Sequence, residues 1–140
     1  ADSNERVVRD IHELARQLPP DTRVAVVWAG IPAYFSDFRM IDTMGYNDRE
    51  IGKGPWAFDV PLDMALAYYP GHMKYDLERT LRDKQPDVLF QWWPPWDERY
   101  STIMTDSGYY LLETGSFWAA VGGVMWLRES AHLPLRWPEQ

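Results

Sequence analysis

The apolar positions of the chain change their period several times, and each change marks an element. From Asn4 to Leu18, Val7, Val8, Ile11, Leu14, Ala15 and Leu18 recur at three- and four-residue spacing with charged residues between them. That spacing predicts an amphipathic helix, capped by Ser3 or Asn4 and stopped by Pro19-Pro20, with His12 solvated on its polar side. The stretch from Arg23 opens instead with an unbroken Val/Ala run, the mark of a strand covered on both faces. Ala29-Gly30-Ile31-Pro32 ends it, because Gly30 frees the backbone while Pro32 removes a ladder donor and restricts Ile31. A polar, aromatic loop is expected next, then a short apolar step at Met40-Ile41 that delivers Asp42 at its end.

Gly45 permits a tight turn. Asn47 reads as a helix N-cap with Glu50 completing a capping box, which puts Asp48 in the first turn of a short helix. From Gly52 to Gly71 the chain reads as a long surface excursion packed by its own aromatics, with a turn or two of helix at Leu62 to Tyr69. A second helix is expected from Tyr75 to Lys84, ended by Gln85-Pro86, and a second core strand from Asp87 to Gln91. Helix, proline and strand in so few residues form part of a right-handed crossover. Trp92-Trp93-Pro94-Pro95-Trp96 follows, and Asp97 to Thr102 makes a short helical turn. Tyr109 to Thr114 and Phe117 to Arg128 read as an antiparallel hairpin with a tight turn at Gly115-Ser116. Residues 129–140 read as a tail that lies on the surface or is partly disordered. The fold class that follows is α/β: one three-layer domain over residues 1–140, with a mixed, partly parallel sheet of about four or five strands flanked by helices.

Composition narrows the functions open to such a domain. A formal charge of -7, with no basic stripe, repels a phosphate backbone and excludes nucleic acid as a partner. The absence of cysteine removes disulfides and thiolate metal sites. The N-terminal ADSNERVV has no apolar signal region, and the longest apolar run, Phe117 to Leu127, is too short to cross a bilayer, so a soluble chain is expected. The unusual figure is 15% aromatic, with eight Trp and eight Tyr, many of them in Pro-rich stretches rather than periodic ones. Trp92, Trp93 and Trp96 between prolines form a stiff surface suited to sugar faces, lipid headgroups or other proteins.

Dinucleotide, Walker, HExxH, EF-hand and GxSxG patterns are all absent. What remains is acidic: Asp37, Asp42 and Asp48, with His72, in or beside loops that leave strands or precede helices. In open α/β sheets the ligand sits at the carboxyl ends of the strands, where Asp42 and Asp48 are expected. The same two carboxylates serve equally well to cap turns and favour a helix dipole. With one imidazole they suit a divalent metal or acid/base chemistry, as in a small metal-dependent hydrolase, although the spacing matches no metal template. His72 and Lys74, at an expected helix start, suit an anionic group; bonding of His72 to a loop carbonyl is the structural alternative. Neither a catalytic residue nor a cofactor is assigned.

An ordered series of short motifs carries a resemblance. Ala29-Gly30-Ile31-Pro32 with Tyr34, then Ile41-Asp42, Gly45-Tyr46, Asn47-Asp48 and Ile51, then Gly71-His72-Met73-Lys74, then Pro86-Asp87-Val88 resemble the C-terminal domain of bacterial polytopic glycosyltransferases of the GT-C class. These arabinofuranosyl- and mannosyltransferases take a sugar from a polyprenyl-phosphate donor. The likeness covers about residues 20–92. Tyr46 stands where that pattern has Leu and Gly52 where it has Ala. The resemblance implies an extracytoplasmic domain, periplasmic or on the outer face of the cytoplasmic membrane, whose partners are the transmembrane portion of the same polypeptide and a glycan acceptor or polyprenyl-phosphate sugar. It implies that Asp42, Asp48 and His72 face the membrane-embedded site and that the helix at residues 4–18 continues from the last span. The catalytic acid of such enzymes belongs to the transmembrane portion, so the domain alone is expected to be inactive. A free-standing carbohydrate- or protein-binding module is the alternative drawn from the aromatic surface.

Overall fold

In a computed structural model, residues 3–27, 30–43, 45, 48–54, 74, 76–90, 98–113 and 124–137 are described. The first helix, α1 (Ser3–Gln17), leads through a short turn into β1 (Arg23–Val26); α2 (Gly30–Tyr34), β2 (Arg39–Asp42) and α3 (Arg49–Lys53) follow. Then come α4 (Leu77–Arg79), which runs on as a π-helical stretch (Thr80–Lys84), β3 (Val88–Leu89), α5 (Glu98–Asp106), β4 (Tyr109–Glu113) and β5 (Val124–Arg128). The five strands lie in the order β2-β1-β3-β5-β4, the first three mutually parallel and the last two joined antiparallel. The expected mixed, partly parallel α/β sheet is what forms.

Alternation along the strands produces the three layers. Val24 and Val26 face one way with Val88, Phe90, Met125 and Leu127, and α1 covers them with Val7, Ile11, Leu14 and Leu18. Ala25, Val27, Leu89 and Trp126 face the other way, beneath Leu77 and Leu81 of the α4 segment and Met104 of α5. The run that opens β1 is apolar throughout because both of its faces are covered, and each fully buried aliphatic side chain contributes about 1.5–3 kcal/mol.

The strand β3, two residues long, sits near the centre of this sheet and is held by more than its own ladder. Just before it, Asp87 donates its backbone N–H to the Arg23 carbonyl at 2.8 Å and accepts the Arg128 N–H at 3.0 Å. Its carboxylate accepts the Arg23 N–H at 2.9 Å, lies 3.2 Å from the Arg23 guanidinium and also accepts Nη2 of Arg128. One side chain therefore ties β1, β3 and β5 together. Burial alone pushes this carboxyl up, but the Arg23 amide and the two guanidiniums overcome it and hold it below the usual aspartate range. Tyr109 closes the same end by donating its hydroxyl to the Pro86 carbonyl at 2.6 Å; burial pushes that phenol up to about 12, so it keeps its proton.

Several local expectations are corrected. The loop after β1 contains a short helix, α2, because Pro32 in a first turn loses no needed N–H and its fixed φ suits the helix. Asp48, not Asn47, caps α3. The turn expected at Asp97 to Thr102 is the start of a longer helix that runs to Asp106. Glu113 pairs with Val124, and the tight turn expected at Gly115-Ser116 lies outside the described residues. The tail is docked as far as Trp137: Leu133, Leu135 and Trp137 pack on the α1 side of the core. Gln17 holds it there, its amide donating to the Arg136 carbonyl at 2.9 Å and accepting the Arg136 N–H at 2.8 Å, as a strand partner would.

Two outcomes are expected. Asp87→Asn lowers stability at pH 7 by about 3 kcal/mol, since it leaves two guanidiniums facing an amide. The depressed folded-state value means that this stability is present above the unfolded aspartate value of about 4 and lost as pH falls through the lower folded value, so urea midpoints of the two proteins converge in acid. Ending the chain after His132 removes three partly buried apolar side chains and costs about 2–4 kcal/mol, read from the same urea titration.

Candidate functional site

Because β1, β2 and β3 are parallel, their carboxyl ends share one rim, and β1 has parallel neighbours on both sides. The chain leaves β1 toward β2 on one side and reaches β3 on the other, the arrangement that opens a crevice in doubly wound sheets. Antiparallel β5 begins at this rim, at Val124, and β4 ends there, at Glu113. The N-terminal half of α1 lies at the same end: Asn4, Glu5, Val8 and Arg9 share a groove with Ile31 and Phe35 from the α2 region.

Asp42 is the last residue of β2, opposite Val26, and is only 8% exposed. Thr43 follows it into the rim, fully buried, with both its N–H (3.0 Å) and its hydroxyl (2.9 Å) donating to the Val26 carbonyl. This double bond to one acceptor fixes where the chain turns off the sheet beside β1. Gly45 then takes the left-handed conformation, φ 77°, as its expected tight turn requires. A Cβ there would fall 2.6 Å from the backbone nitrogen of Gly52, and one on Gly52 would fall 2.7 Å from the Gly45 carbonyl. The two glycines let the rim turn lie directly on α3. That close approach is the physical reason why Gly stands at 52.

Asp48 is engaged locally. Its Oδ1 accepts the N–H of Glu50 at 3.0 Å and of Ile51 at 3.2 Å, and its Oδ2 pairs with Lys84 at 3.0 Å. Burial raises this carboxyl, while Lys84 and the two amides outweigh it and hold it below the usual range. Glu50 pairs with Arg79 at 2.8 Å. Two ion pairs therefore join α3 to the segment Leu77–Lys84, and the capping alternative raised for Asp48 is the one its bonds describe. Lys74 donates Nζ to the Gly54 carbonyl, the C-cap of α3, so it too serves this junction.

Tyr34, at the end of α2, is 83% exposed and edge-on to Phe35 at 5.0 Å, which in turn meets His12 at 5.8 Å. His12 and Phe35 line a groove of about 780 Å³ between α1 and α2, and Tyr34 meets it only through Phe35. His12 is exposed on the polar side of α1, as expected, and the groove it lines with Phe35 was not foreseen from the sequence. His72, Trp92, Trp93 and Trp96 lie outside the described residues, as does most of the Gly52–Gly71 excursion. Asp37 is exposed between α2 and β2. Among the described residues no three His, Asp or Glu side chains group closely enough to hold a metal ion. No helix of the described residues is long and apolar enough to cross a membrane.

If Asp48 is a cap and a clasp, its two duties separate by substitution. Asp48→Asn keeps the cap and loses only the Lys84 pair, costing under about 1 kcal/mol, whereas Asp48→Ala loses both and costs about 1–2 kcal/mol, measured by thermal or urea unfolding.

No curated protein matches the chain, and no solved structure does. A family described as a domain of unknown function (DUF8728) matches residues 2–132, nearly the whole chain, and the chain belongs to that family.

Proposed function

We propose that the domain is the extracytoplasmic part of a membrane glycosyltransferase of the polyprenyl-phosphate-sugar-dependent class, and that its parallel-strand rim engages an acceptor glycan or the lipid-linked sugar. The observation that carries the reading is the convergence of the β1, β2 and β3 ends, with Asp42 among them, at the end of the domain where α1 begins. A membrane span joined to α1 would set that rim against the bilayer, within reach of a donor whose phosphate lies at the headgroups. Asp42, on a rigid strand, is the acceptor group for sugar hydroxyls; Asp48 and Lys74 shape the rim and leave the contact to others. The motif series supports the same reading. Bond cleavage is left to the transmembrane portion, so the domain binds and positions.

A second reading, a free-standing carbohydrate- or protein-binding module, rests on Tyr34 and the α1–α2 groove. An exposed ring over an apolar cleft is how aromatic side chains meet a sugar face or a partner's side chain.

The readings part in one titration. Mannan and arabinan oligosaccharides and a short-chain polyprenyl phosphate are added to the labelled chain and its amide spectrum is followed. The transferase reading expects saturable shifts at Val27, Thr43 and Gly45, with affinity weakened about tenfold by Asp42→Asn, which is about 1.4 kcal/mol. The module reading expects shifts at His12, Tyr34 and Phe35, abolished by Tyr34→Ala. Silence at Val27, Thr43 and Gly45 with every probe contradicts the first.

A further inference from the structure

The sheet ends on one side in β4, whose outer edge meets no further strand among the described residues. The direction of its backbone groups follows from two bonds. The Glu129 N–H donates to the Gly108 carbonyl at 2.9 Å, one step beyond the Tyr109–Arg128 pair, while the Arg128 N–H points away from β4 and donates to Asp87 at 3.0 Å. Antiparallel pairs alternate between bonded and non-bonded, so Tyr110 and Leu112 exchange bonds with β5. Tyr109, Leu111 and Glu113 therefore turn N–H and C=O to the open edge. Tyr110 and Leu111, successive residues on opposite faces of the strand, are 41% and 43% exposed.

Edge strands are ordinarily kept from pairing by charge, proline or a bulge. The opposite edge follows that rule, since β2 opens with exposed Arg39 and closes with Asp42. Strand β4 has no charge before Glu113, no proline and an unbroken register with β5. Its outward groups are also self-complementary. A second copy turned about a two-fold axis at Leu111 sets Leu111 against its own equivalent and Tyr109 against Glu113, so that all the outward residues exchange paired N–H···O bonds. Exposed Tyr110 then falls beside Leu112 of the second copy, an aromatic–aliphatic cross-strand pair. The two Glu113 residues lie at opposite ends of the seam, roughly 14 Å apart, so no like charges are directly opposed. We propose that β4 pairs antiparallel with β4 of a second copy of this chain, joining the two sheets into one. The two-fold axis crosses the sheet and turns the two carboxyl-end rims in opposite directions, so the seam joins copies that do not share a bilayer and is independent of what either rim binds. Five paired residues make a small interface, and the formal charge of -7 on each copy opposes it, so the dimer is weak and transient.

The test is sedimentation equilibrium of the whole chain from about 10 μM to about 1 mM, with amide hydrogen exchange at both ends of that range. A monomer–dimer equilibrium is expected, with a dissociation constant on the order of 0.1 mM. The Leu111 amide is expected to be protected at the higher concentration only, while those of Tyr110 and Leu112, bonded to β5, are protected at both. Leu111→Lys sets two like charges side by side on the axis and is expected to weaken the dimer by at least about tenfold. Leu111→Pro removes the outward N–H without costing a bond to β5 and is expected to leave a monomer. A wild-type monomer at the highest concentration would overturn the proposal and leave the edge to a foreign strand. So would association that Leu111→Lys leaves unchanged, or exchange at Leu111 that does not depend on concentration.

Discussion

The three-way contact of Asp87 with Arg23 and Arg128 is the constraint on which the sheet depends. A central strand of two residues offers few ladder bonds, and β3 has to join a parallel pair on one side to an antiparallel pair on the other. Asp87 supplies what the ladder lacks: a backbone bond to each neighbour and a carboxylate shared between their guanidiniums. With side chains 13% to 32% exposed, the three residues sit where an ion pair is only partly screened. The alternation of β1 then places α1 on one face and the α4 and α5 segments on the other, and the core follows from that single register.

Fixing one rim by ion pairs leaves the other rim to be set by backbone contacts. There Thr43 is bonded twice to Val26, and Gly45 lies against Gly52, so backbone contacts define the turn that follows Asp42. The charges appear one layer out, where Asp48 with Lys84 and Glu50 with Arg79 hold α3 to the segment before β3. A rim of this kind holds Asp42, 8% exposed, on a rigid support.

The sequence made the fold legible where period and burial coincide. The α1 stripe, the Val/Ala run of β1 and the sequence around Pro86 to Phe90 all carry a pattern that only one element satisfies. It was less legible where side-chain bonds decide. Nothing in the spacing distinguishes Asn47 from Asp48 as a cap, since the choice turns on which side-chain oxygen reaches both the Glu50 and the Ile51 N–H. The docking of Leu133 to Trp137 depends on Gln17, more than a hundred residues away, so the prolines of the tail suggested disorder instead. For the site, the apolar step Met40-Ile41 placed Asp42 at a strand end, where the structure has it, whereas the left-handed conformations in which Gln85 and His132 end their helical turns are not announced by side-chain chemistry.

Native-state hydrogen exchange measures most directly whether one carboxylate unites the sheet. The amides of Asp87 and Phe90 report the junction of β1 with β3, that of Arg128 the junction of β3 with β5 and that of Thr43 the junction of β1 with β2. If Asp87 joins the strands into one unit, these four amides exchange with a common free energy in rising urea. Exchange of Arg128 at a clearly lower free energy, with Phe90 and Thr43 still protected, would show that β4 and β5 open on their own and would contradict it.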